Sequence, residues 1–136
     1  MKCAYPAIFT PEEVSGRGTV YIVEFPDVLG CATEGESLPE AIAMAREALA
    51  GCLLAIKQSK EDIPAPSDIA FLSHEQGQFI SIVDVDLNAY LRKREKKAVI
   101  KAVSLPQWLD VMAEEAGISY SQTLQKALKK ELSIVD

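Results

Sequence analysis

Asp84 and Asp86 are the first residues in this chain whose type and spacing suggest chemistry. They lie two apart in "FISIVDVD", so a strand would set both carboxylates on one face. Joined by Glu24, they could hold a divalent metal and support phosphodiester hydrolysis. A metal-dependent nuclease is therefore one function class the residues allow. Against it, carboxylates on a strand are usually solvent-facing. His74, the only histidine, sits in the polar stretch "FLSHEQGQF". It has no convincing triad partner, and a zinc site would need more ligands. Cys3, Cys31 and Cys52 are too scattered for metal-ligand spacing and read as buried free thiols. No cofactor is expected.

Charge points to binding instead. Residues 1–91 hold five Lys/Arg against 14 Asp/Glu, a net of −9. Residues 92–136 hold nine against six, a net of +3. An acidic body could meet a basic protein, and a basic end could meet nucleic acid. Composition is that of a soluble globular protein, with 49% hydrophobic and 25% charged residues. No apolar run is long enough to span a membrane. "MKCAYPAIFTPEE" meets proline and acids too early for a signal peptide. A cytoplasmic protein is expected.

At 136 residues the chain has room for one domain plus a small appended module. "CAYPAIFT" is β-rich, and Pro6 argues for an edge strand or a bulge. "TVYIVEFPDV" (Thr19–Val28) is the clearest strand, closed by Pro26-Asp27. A short third strand is expected around Cys31–Thr33. Ser37-Leu38-Pro39-Glu40 is a capping box. From it Leu38, Ile42, Ala45, Leu49, Leu53 and Ile56 form an apolar helical stripe ending near Ser59. "QFISIVDVDL" (Gln78–Leu87) is the next strand, with Phe79, Ser81, Val83 and Val85 on one face. Residues 1–90 thus read as an α+β domain of order β-β-β-α-β. Residues 91–97 read as a charged linker, within a stretch (Asn88–Lys97) that could also form a helical turn.

Residues 98–136 form the module. "AVIKAVSL" (Ala98–Leu105) reads as one strand, "PQWLDVMAEEAG" as a short helix with Gly117 as left-handed C-cap, and "ISYSQTLQKALKKEL" as a second helix capped by Ser119 or Ser121. One strand cannot form a sheet, and two short helices cannot bury their own apolar residues. The pattern resembles a ribbon-helix-helix module, in which two chains pair their strands and interlock their helices. Val103, Leu105, Trp108, Leu109, Met112, Ile118 and Leu124 would form the shared dimer core. With Val99, Lys101, Val103 and Leu105 on the helix side, the strand offers Ala98, Ile100, Ala102 and Ser104 to a DNA groove. Those are poor base readers. Lys96, Lys97 and Lys101, with the helix start at Ser119–Ser121, suit phosphate contacts.

"YIVEFPDVLGCATEGESLPEAIAMAREAL" (Tyr21–Leu49) resembles the core of the HicB antitoxin family. The residues that carry this are Phe25-Pro26-Asp27, Gly30-Cys31, Thr33, Gly35, Glu40-Ala41 and Glu47-Ala48-Leu49, followed by the Pro-Ser loop "IPAPS" (Ile63–Ser67). The resemblance extends over nearly the whole chain. It implies a truncated ribonuclease-H-like N-terminal domain that is not an enzyme and neutralises a small basic HicA-type toxin that cleaves messenger RNA. It also implies a tail that binds operator DNA as a homodimer or higher homo-oligomer and represses the operon. Glu24, Asp27, Glu34 and Glu36, near the diagnostic loop, are the expected toxin-facing acids. A third possibility is a partner protein whose tail dimerises without touching DNA.

Overall fold

The computed structural model describes residues 1–134. The chain divides into two compact units, Met1–Lys97 and the residues from Ala98 onward. The last two residues of the 98–136 module lie outside the described residues.

In the first unit, β1 (Lys2–Val14), β2 (Gly18–Glu24) and β3 (Ala32–Gly35) precede α1 (Leu38–Gln58), β4 (Phe79–Asp86) and α2 (Leu87–Arg94). A single turn of 3-10 helix, Ile69–Phe71, interrupts the loop before β4. The four strands form one antiparallel sheet of order β3-β2-β1-β4. This is a mixed α+β arrangement.

Of the two readings of Pro6, an edge strand or a bulge, the edge strand is not found, because β1 pairs with two neighbours. The physical reason is local. Lys2–Phe9 pairs with β4, and Ile8–Val14 pairs with β2. Only Ile8 and Phe9 have partners on both sides. Successive residues of an antiparallel strand turn their amides to opposite sides. Pro6 and Pro11 have opposite parity, and each lies in a half of β1 with one vacant side. Neither missing N–H need cost a ladder bond. The strand is also longer than "CAYPAIFT" suggested, running to Val14 before the turn at Gly16 (φ +82°). β2 is shorter than expected and stops at Glu24, since Phe25–Cys31 folds into its own turn.

Tyr5, Ala7, Phe9, Val23 and Val83, from three adjacent strands, face α1 and build the core with Ala41, Ala45, Leu49, Ala50 and Leu53. Phe9 stacks on Phe79 at 5.0 Å between ring centroids. The buried stripe of α1 is thus rotated from the expected one. Ala45, Leu49 and Leu53 belong to it, whereas Leu38 is exposed and Ile42 and Ile56 lie at its margin. Small alanines at positions 41 and 45 let the helix sit close to the sheet. Close approach is also why position 35 is glycine: a Cβ there would fall 2.4 Å from the Ala41 amide nitrogen.

The capping box forms with one change. Ser37 Oγ accepts from the Glu40 amide at 3.2 Å, while the Glu40 carboxylate accepts from the Glu36 amide at 2.9 Å rather than from Ser37. Part of the segment read as linker is α2, which starts on an Asp86 cap and buries Leu87 against the core.

The second unit holds α3 (Gln107–Glu115) and α4 (Tyr120–Glu131). Gly117 adopts φ +68°. Its amide donates to Glu114 O at 3.0 Å, and the Ile118 amide donates to Ala113 O at 3.1 Å. These two bonds define a Schellman C-cap. Residues 98–106 carry no regular secondary structure. A strand exists only through hydrogen bonds to a neighbour, and in the single chain Ala98–Leu105 has none.

Candidate functional site

The four acids selected in the first unit have different local partners. Asp27 sits in a turn closed by Val28 N–H donating to Phe25 O at 3.2 Å and Phe25 N–H donating to Cys31 O at 3.1 Å. Its carboxylate accepts from both the amide and the hydroxyl of Ser67, the amide at 2.9 Å. The Tyr5 hydroxyl donates to Pro64 O at 2.5 Å. The diagnostic turn and the Pro-Ser loop, 40 residues apart, are thereby tied together. Asp27 acts as a tether. Glu34 and Glu36 share Arg17, whose guanidinium lies 3.7 Å from one and 2.9 Å from the other. The Glu36 hydrogen bond, ahead of the charges of both carboxylates, raises the Arg17 pKa. Glu24 ends β2 and is exposed.

The nuclease constellation is not assembled. Asp84 Oδ1 pairs with Arg46 Nη2 at 3.1 Å. Asp86 caps α2 by accepting from the Asn88 and Ala89 amides. Glu24 is in register with Ile8 on one side of β1, and Asp84 with Ala4 on the other. Four residues along the strand and two strand spacings across separate them by roughly 16 Å. Among the described residues no group of three or more His, Cys, Asp or Glu is placed to hold a metal ion.

Cys31 is buried, and burial, followed by a hydrogen bond to Cys52, pushes its thiol up to about 12. His74 is exposed and its Nδ1 contacts Glu75 O at 3.0 Å.

In the second unit, α3 and α4 bury no residue. Trp108 is 64% exposed, Met112 60% and Val103 63%, and Leu105, Leu109, Ile118 and Leu124 are exposed as well. Lys96, Lys97, Ile100, Lys101, Ala102 and Ser104 all lie in exposed chain before α3. Ser119 is the N-cap of α4, accepting from the Gln122 amide at 3.4 Å, and Ser121 lies in the first helical turn. The Tyr120 hydroxyl donates to the Asp110 carboxylate and carbonyl, which joins the two helices and pushes that hydroxyl up to about 12.

Residues 5–128 match the family model of the HicB-like antitoxin of bacterial toxin-antitoxin systems. The chain belongs to the HicB-like antitoxin family. Antitoxin HicB of Escherichia coli K12 is 29% identical over 138 aligned residues, covering 96% of this chain and 97% of that one. An uncharacterized 14.9 kDa protein of Haemophilus phage HP1 is 32% identical over 79 residues, covering 56% of this chain and 59% of that one. Among solved structures, a chain of a toxin-antitoxin complex from Streptococcus pneumoniae is 33% identical at a TM-score of 0.61, covering 96% of this HicB-like chain and 99% of its own. The N-terminal domain of Burkholderia pseudomallei antitoxin HicB is 28% identical at a TM-score of 0.51 and covers 62% of this chain. None of the described helices is long and apolar enough to cross a membrane.

Sequence reasoning missed Arg17 and Ser67, the residues that engage three of the four selected acids. Arg17 lay hidden in a turn between two glycines. Ser67 carried a signal, since it closes the "IPAPS" motif, but nothing in the spacing connected it to Asp27.

Proposed function

We propose that this HicB-like chain is an antitoxin that binds and neutralises a small HicA-type mRNA-cleaving toxin, and that it represses its own operon by binding operator DNA. It acts in the cytoplasm as a binding protein, not an enzyme. The first unit, with a truncated ribonuclease-H-like fold, meets the toxin, and the tail meets DNA as a ribbon-helix-helix dimer. The observation that carries this division is the contrast in burial. The first unit closes a core of its own, whereas the helices from Gln107 onward bury nothing. A second copy of the tail would cover Val103, Leu105, Trp108, Leu109, Met112, Ile118 and Leu124. Its residues 98–105 would supply the missing strand partner. Ile100, Ala102 and Ser104 would then face the groove, with Lys96, Lys97, Lys101 and the α4 start at Ser119 and Ser121 on phosphates. Support for the toxin half comes from the family match and from the −9 charge of residues 1–91, which complements a basic RNA-binding surface.

Truncation after Lys97 tests the division. The shortened chain is expected to bind the toxin of its own operon and to lose operator binding. Toxin binding that requires the tail would overturn the assignment.

A further inference from the structure

We propose that the face of the sheet turned away from α1 is the surface that receives the toxin. The inference rests on the antitoxin reading above and adds the place of contact. It starts from strand register. Ile8 lies opposite both Glu24 on β2 and Ile80 on β4. Pro6 lies opposite Ile82, and Ile22 lies opposite Thr10, diagonal to Ile8. Cross-strand partners share a face, and residues two apart share a face. Ile8, Ile22, Ile80 and Ile82 therefore form one contiguous apolar patch across three strands. The core residues Tyr5, Ala7, Phe9, Val23 and Val83 all have the other parity and point to α1. Both α1 and α2 pack on that second side, through Leu49, Leu53, Leu87 and Tyr90. Within the first unit no helix covers the isoleucines.

Pro6 and Val20 share this parity and are buried, Ile8, Ile22 and Ile80 are half-buried, and Ile82 is the exposed member. The face is thus apolar where the outer face of a two-layer fold ordinarily alternates to polar residues. Ile82 is 49% exposed. Beside the patch, Leu29 stands 97% exposed at the tip of the diagnostic turn. It borders a shallow depression floored by Ile8 and Glu24. The turn is held in place by the Asp27–Ser67 tether, so Leu29 is presented on a fixed loop.

The rim selects the occupant. Glu12, Glu24, Glu34 and Asp84 share the parity of the isoleucines and surround them. Asp84 is paired with Arg46, and Glu34 shares Arg17 with Glu36. Glu12 and Glu24 are left to an incoming partner. A second copy docked face to face would bring these acids against their equivalents. A basic protein would place cations there and an apolar surface over the isoleucines, the usual arrangement of apolar centre and charged rim. The same geometry separates the four selected acids: Glu24 and Glu34 flank the contact, while Asp27 and Glu36 are engaged elsewhere.

The test uses the full chain and a catalytically inactive form of the toxin from its own operon. Ile82→Lys and Glu24→Lys alter the proposed face, and Met44→Lys alters the exposed side of α1. Toxin affinity is read by calorimetry, assembly mass by sedimentation, and folding by thermal melting. Ile82→Lys is expected to weaken toxin binding on the order of 30-fold and Glu24→Lys about tenfold, with unchanged mass. Met44→Lys should leave affinity within about twofold. Should Ile82→Lys disturb folding, Glu24→Lys decides alone, since its side chain is exposed. Unchanged toxin affinity in the face variants would overturn the placement while leaving the antitoxin reading intact. A fall in mass with toxin affinity preserved would overturn it in favour of pairing between copies. Failure of the unaltered chain to bind the toxin would overturn the antitoxin reading itself.

Discussion

Gly35 shows how one missing side chain sets the spacing of sheet and helix. A methyl group there would meet the Ala41 amide nitrogen at 2.4 Å and its Cα at 2.6 Å, backbone atoms that cannot step aside. Gly35→Ala should therefore push the start of α1 off β3 and destabilise the first unit by roughly 2–3 kcal/mol, as read by thermal unfolding. Cys31 supplies a pH signature at the same scale. Burial and its bond to Cys52 raise the thiol to about 12 from an ordinary value of 9.0. The folded state thus favours the protonated thiol. Its stabilising contribution is complete below pH 9.0 and is lost as pH rises through about 12. Urea unfolding from about pH 8 to about pH 11 should show a steeper alkaline loss for the native chain than for Cys31→Ala. A residual slope should persist in the variant, because burial also raises Tyr5 and the Asp110 contact raises Tyr120. Equal slopes in the two proteins would show that Cys31 is not the source.

Among the elements, those governed by local chemistry were legible. Ser37 and Glu40 marked the start of α1, and the Ser59 region marked its end. Gly117 and Ser119 marked the break between α3 and α4. The alternation of β4 correctly placed Val83 and Asp84 on opposite faces, and the Val83 face is the one that meets the core. What failed depends on neighbours the sequence does not display. Pro6 signals a vacant side, but only the register shows that β1 has a vacant side at each end and a pair of neighbours in the middle. The α1 stripe was right at Ala45, Leu49 and Leu53 but was extended through the large Leu38, Ile42 and Ile56, whereas close packing on the sheet selected the small Ala41 and Ala50. For the four selected acids the sequence showed positions and not partners: Glu24 and Glu34 share a sheet face with the isoleucines, but Asp27 had to find Ser67 and Glu36 had to find Arg17. Ala98–Leu105 is the extreme case, since its pairing partner is proposed to be another molecule. That proposal makes an element-scale prediction. Trp108→Ala should weaken self-association by about 3–5 kcal/mol, the cost of emptying a core site of that size. Sedimentation equilibrium measures it, and an unchanged dissociation constant would remove the indole from the interface.

For the whole molecule, charge is divided along the chain, with −9 over residues 1–91 and +3 over residues 92–136. An acidic first unit repels DNA, so the proposed operator complex would have to form through the tail, with basic groups that outweigh that repulsion. The groove-facing side chains proposed for the ribbon, Ile100, Ala102 and Ser104, offer one hydroxyl and two apolar groups. Few hydrogen bonds to base edges are available from them. Binding should then be dominated by phosphate charge, with a logarithmic affinity that falls with salt at a slope near −0.9 per phosphate neutralised. Lys97→Ala or Lys101→Ala should weaken binding to operator and scrambled DNA alike. Each phosphate left without its lysine should make the slope shallower by about 0.9. Ser104→Ala should leave overall affinity nearly unchanged and relax preference at one base pair by about 1 kcal/mol. Neutralising part of the first unit by bound toxin should strengthen operator binding at low salt, an effect that fades as the Debye length shrinks toward about 3 Å in molar salt. Titrations of both DNAs at several salt concentrations, with and without toxin, read all of these terms. If Lys101→Ala abolishes discrimination between operator and scrambled DNA while leaving scrambled affinity intact, the ribbon lies the other way up. Lys101 then reads bases, and Val99 and Val103, beside it on the same strand face, turn from the dimer core to the groove.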